Sequence, residues 1–88
     1  MKIEESNRKD KRFVATFDNG KKVHFGLKNA YTYLDGAPEE KRKGYLARHK
    51  VLEDWRDPYK AGTLSRYILW EFRSFNSALK AYEQKFNV

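Results

Sequence analysis

Asp18-Asn19-Gly20 stands between two alternating runs, Arg12-Phe13-Val14-Ala15-Thr16-Phe17 and Lys21-Lys22-Val23-His24-Phe25-Gly26. Asn-Gly in this setting is a strong short-range signal for a β-hairpin, and it commits this part of the chain to an antiparallel pair. Loop length then decides which side chains share a face. A two-residue Asn-Gly loop sets Thr16 opposite Val23 and Val14 opposite Phe25, leaving Phe13 and Phe17 beside Lys22 and His24. A three-residue loop, with Gly20 in the left-handed bulge position, pairs Ala15 with Val23 and Phe13 with Phe25. Only this second register gathers Phe13, Ala15, Phe17, Val23 and Phe25 on one side and sends Val14, Thr16, Lys22 and His24 to the other. Register follows the buried face, so the three-residue loop is predicted.

Such an apolar face needs a cover. Gly62 to Phe72 is the densest apolar stretch of the chain, and the rest is read as built around it. It predicts a helix over Leu64–Phe72, N-capped by Thr63 and apolar nearly all round, which is the pattern of a helix buried on more than one side. Arg66 and Trp70 are its residues expected to reach beyond the core. Phe75, Leu79, Tyr82 and Phe86 follow at i, i+4, i+7 and i+11, with Ala78 beside them and Ser74 as cap, predicting an amphipathic last helix. An earlier helix is predicted from Pro38 to about Asp54, with Glu39 and Glu40 in the first turn, where the helix dipole favours acids. Its face Tyr45, Arg48, His49, Leu52 is half polar, and Gly44 in its interior costs about 1 kcal/mol relative to alanine. Residues 55–62 break the chain before Pro58. Tyr31-Thr32-Tyr33 has strand character and could add a third strand. Residues 1–10 read as a flexible arm, able to join the sheet at its end, and residues 11–88 as one small domain. The fold class is α+β: an N-terminal hairpin, with room for a third strand, packed against three helices. Phe13, Ala15, Phe17, Val23 and Phe25 are expected to face Leu64, Ile68, Leu79, Tyr82 and Phe86.

The 88 residues lack cysteine, so neither a disulfide framework nor a thiolate metal site is available. No segment has the length and apolarity of a membrane span, and Met1-Lys2-Ile3-Glu4-Glu5 has no apolar run of a secretory signal, so a soluble protein is expected. His24 and His49 lack any HxH or HxxxH spacing, and a site would need both to meet a carboxylate in space, with Asp54 or Asp57 as candidates. The glycines are isolated turn or cap residues, and Ser65 and Ser77 have no neighbouring base. No enzyme, metal, cofactor or small-molecule substrate is expected.

Charge points elsewhere. The net charge is +7, which favours polyanions as partners. From Lys41 to Lys50 the chain carries Lys41, Arg42, Lys43, Arg48 and Lys50 and no acid. With Arg8, Lys9, Lys11 and Arg12 they form the candidate nucleic-acid-binding set, acting by phosphate neutralisation, with duplex DNA first among the targets. The bland alternative is a solvated helix face. Two Trp, six Tyr and six Phe are many for so short a chain. Surplus rings with arginine make protein contact surfaces, and Trp55, Arg66 and Trp70 are the candidates. The alternative function is therefore a capsid-associated or scaffolding protein that binds other proteins through exposed aromatics. The bland counterpart is that the rings all serve the core, with Arg66 and Arg73 stacked on them.

His24-Phe25-Gly26, Tyr31-Thr32-Tyr33 with Asp35, Lys41 through Lys50, Glu53-Asp54-Trp55 and Ala61 through Trp70 resemble a family of small basic proteins of uncharacterised function. That family is found in nucleocytoplasmic large DNA viruses, the giant viruses of algae and amoebae. The resemblance spans roughly residues 12 to 86, and its specific parts are Tyr45–Lys50 and Gly62–Trp70. It implies no catalytic residues. It implies a setting, the virion or the interior of an infected cell, cytoplasm or nucleus, with viral nucleic acid or viral structural proteins as partners. The family's proline-bearing link into the last helix is replaced here by Glu71-Phe72-Arg73-Ser74-Phe75, so the last two helices are expected to run closer together.

Overall fold

In a computed structural model describing residues 1–88, three antiparallel strands lead into three helical segments, an α+β arrangement. The strands are β1 (Lys2–Glu5), β2 (Lys11–Thr16) and β3 (Lys22–Leu27), in the order β1-β2-β3. Ala15 pairs with Val23 and Phe13 with Phe25, the register of the three-residue loop. Gly20 takes the left-handed conformation at φ 87°.

Lys2–Glu5 was read as part of a flexible arm able to join the sheet. It forms β1, with Ile3 opposite Ala15, and its Lys2, Glu4 and Glu5 leave a charged outer edge. The third strand expected at Tyr31–Tyr33 does not form. Thr32 instead donates its backbone N–H and its hydroxyl to the Asp35 carboxylate, at 3.0 and 2.7 Å, which closes a 3₁₀ turn over Tyr33–Asp35. Side-chain bonding of this kind competes with a strand ladder.

Helix α1 runs Glu39–His49, with Pro38 as N-cap, and stops short of Asp54. Only Tyr45 of its expected face is buried, and Leu52 is 81 % exposed. A helix without an apolar stripe to pack has little to extend it. Helix α2 spans Ala61–Leu64 and passes directly into a π-helical segment, Ser65–Leu69. Thr63 is therefore inside the helix and not its cap. Its buried hydroxyl donates to Asp54 O at 3.4 Å, which ties down the preceding loop. Helix α3 covers Phe75–Phe86, with the Ser74 hydroxyl accepting from Ser77 N–H.

Ala15, Phe17, Phe25, Leu64, Ile68, Leu69, Ala78 and Tyr82 form the core, with Phe13, Val23 and Phe86 packed against it. Leu69 and Ala78 take inner places, whereas Leu79 remains half-buried. Tyr82 is 1 % exposed and donates its hydroxyl to Pro58 O at 2.6 Å, anchoring the proline loop to α3. Gly26 is the tightest joint between the layers. Its φ is 76°, and a Cβ there would lie 2.9 Å from Leu69 Cδ1 and 3.3 Å from Arg12 Cβ. Gly26→Ala should therefore lower the urea midpoint, at a cost of about 1–3 kcal/mol.

Candidate nucleic-acid interface

The fold divides the basic residues into two kinds. Arg12 makes two hydrogen bonds to the Asp35 carboxylate, at 2.7 and 2.6 Å, and this pairing holds Asp35 well below the usual carboxylate range. Arg42 donates Nε to Trp70 O at 2.8 Å and its terminal nitrogens to Glu39 and Glu71. Arg66 meets the other oxygen of Glu71. Arg12 and Arg42, both in the candidate nucleic-acid-binding set, each clamp one element to another. The guanidinium geometry suits bidentate carboxylate pairing, which an unpaired sequence run does not reveal.

Lys41, Lys43, Arg48 and Lys50 are exposed on α1 and its end, with no carboxylate within 4.0 Å. Arg8 and Lys9 are exposed in the β1–β2 connection, and Lys11 is half-buried at the start of β2. Arg8, Lys11 and Lys22 lie close enough to His24 to hold its pKa below the ordinary value, an effect led by desolvation of the ring. His24 is hydrogen-bonded to Ser6 Oγ at 2.6 Å. His49 has Glu53 at 3.4 Å as its carboxylate neighbour, in place of Asp54 or Asp57.

Of the aromatic candidates, Trp55 is half-buried and donates Nε1–H to Glu53 at 3.1 Å, and Arg66 lies 5.2 Å over its ring. Both serve the fold. Trp70 stacks on Tyr45 at 4.5 Å and 8°, and Tyr45 stacks in turn on His49 at 4.2 Å. Burial and then the charge of Glu53 push the Tyr45 phenol up to about 12. Trp70 also faces outward. It lines a cleft of about 440 Å³ against Leu27, His49 and Ser65, and a surface hollow of about 520 Å³ with Tyr31, Lys41, Gly44 and Arg48.

Tyr31, absent from the sequence-derived set, borders two surface hollows. It is 54 % exposed, with Lys41 Nζ 5.9 Å from its ring centroid. Its ring lines the hollow on α1 and also a second one, of about 420 Å³, bordered by Ser6, Arg12 and Lys28. Tyr31 lines both hollows, and in the second one Glu5 and Asp35 balance Arg12 and Lys28. The available signal was an aromatic placed between Lys28 and the Lys41–Lys50 run, in a segment too rich in turn residues for a strand.

Residues 1–49, from β1 through the last residue of α1, match the family of unknown function DUF5754. Uncharacterized protein L851 of Acanthamoeba polyphaga mimivirus is 36 % identical over 80 residues, covering 80 % of each chain. The chain belongs to this family of small giant-virus proteins. No solved structure matches it. The family match takes in Tyr31, Lys41, Gly44 and Arg48, whereas Trp70 lies outside it.

Proposed function

We propose that this DUF5754 protein binds nucleic acid without catalysing a reaction, acting on viral nucleic acid in the virion or the infected cell. The observation that carries this reading is the sorting of cations. Arg12, Arg42 and Arg66 pair with carboxylates and hold the fold, while Lys41, Lys43, Arg48 and Lys50 are left unpaired around one exposed helix. Unpaired surface cations lose little desolvation energy on meeting phosphate and release counterions when they do. The ring count, which motivated a capsid or scaffolding role, favours a protein partner less once burial is considered. Tyr31 is the one aromatic among the strongly exposed large apolar side chains, the others being Leu27, Val51 and Leu52.

Duplex DNA binding, followed by fluorescence anisotropy across a salt series, tests the reading. Neutralising four phosphates predicts a log–log slope of about −3 to −4. Lys43→Ala should shrink that slope by about 1 without altering the melting temperature. Absence of binding to duplex and single strand alike at low salt would end the proposal.

A further inference from the structure

Gly44 lies in the interior of α1, where glycine lowers helix stability, and nothing in the backbone requires it there. What its missing Cβ leaves is the floor of the hollow between Tyr31 and Trp70. Arg48 reaches back over this floor, its Nη1 3.1 Å from where a Cβ would stand. The hollow thus combines an exposed phenol ring, an indole edge, a bare stretch of helix and two cations, Lys41 and Arg48. Glu40 at its rim is the one acid lining it.

We infer that this hollow receives an unpaired nucleobase, stacked on Tyr31, with the flanking phosphates held by Lys41 and Arg48. The inference rests on the nucleic-acid reading above and narrows it to single-stranded segments. Cations alone would suit any polyanion. An exposed ring beside a hollow adds a term that a base, with its flat π-face, can use and a duplex backbone cannot.

The test compares a labelled oligothymidylate with a duplex of equal length, by anisotropy at low salt. The parent should prefer the single strand. Tyr31→Ala, at an exposed position, should keep the parent melting temperature and weaken single-strand binding roughly five- to a hundredfold, far more than it weakens duplex binding. Gly44→Ala should raise the melting temperature and still weaken single-strand binding, because the added methyl displaces Arg48. Equal binding of both probes, with Tyr31→Ala silent, would overturn the inference and leave the phosphate reading standing. Competition by polyglutamate as effective as by unlabelled oligothymidylate would also overturn it, since the hollow would then read charge alone. Loss of binding to both probes in the parent would overturn both proposals.

Discussion

Glu71→Ala should cost about 2–4 kcal/mol and bring the urea midpoint down accordingly. Glu71 stands between two guanidinium groups: one carboxylate oxygen takes Arg42 and the other takes Arg66. The side chains of Arg42, Glu71 and Arg66 are 20 %, 25 % and 13 % exposed. Removing the acid leaves two adjacent, largely desolvated cations, and removing one partner of a buried pair is far costlier than the pair's net worth. Arg66 is already short of partners, because its Nε is buried without a hydrogen bond. It is held instead by the rings of Tyr67, at 4.7 Å, and Trp55. A double-mutant cycle with Arg42→Met separates the contributions. If the loss reflects uncompensated charge, the second substitution should recover part of it. If Glu71→Ala melts like the parent, the three residues do not clamp α1 to the end of the π-helical segment.

Truncating the core should have an effect of similar or greater size. Ile68 is 0 % and Phe17 3 % exposed, on opposite sides of the sheet–helix interface. Ile68→Ala should lose about 2–5 kcal/mol and Phe17→Ala about 3–5, as lost transfer energy and residual cavity add. Phe17 also makes an edge contact with Tyr59 at 4.7 Å, so its truncation loosens the proline loop as well. A domain of this size has total stability of about 5–10 kcal/mol, so either variant approaches the folding limit. Parent-like melting of both would mean that the interface lies elsewhere.

The parts of the fold legible in advance were those where one local rule acted without a competitor. Asp18-Asn19-Gly20 set the hairpin register because only one register buries all five apolar residues. Ser74 and the Phe75–Phe86 stripe gave the last helix because cap and periodicity agree. Where two local preferences compete, tertiary partners decided. Tyr31-Thr32-Tyr33 has strand-forming residues, but Thr32 found Asp35, and Arg12 of β2 fixed Asp35 in turn. Lys2–Glu5 looked too polar for a strand, yet one inward Ile3 and a free edge of β2 sufficed. The π-helical turn at Ser65–Leu69 has no periodicity of its own in the sequence.

The candidate site was legible as a cluster of charge and not as a surface. Arg42 and Arg48 are alike in sequence, and the approach of Trp70 O and Glu71, distant in the chain, makes one a clamp and leaves the other free. Tyr31 was invisible for the complementary reason. Its value comes from remaining uncovered, and no periodicity announces an exposed ring.

The core has a consequence for synthesis. Phe17 and Phe25 from the first third of the chain close against Leu64, Ile68 and Tyr82 near its end. The sheet's apolar face therefore lacks its main helical cover until residues 64–82 have been made. Until those helices are made, the nascent sheet should expose Phe13, Phe17 and Phe25 to any chaperone within reach.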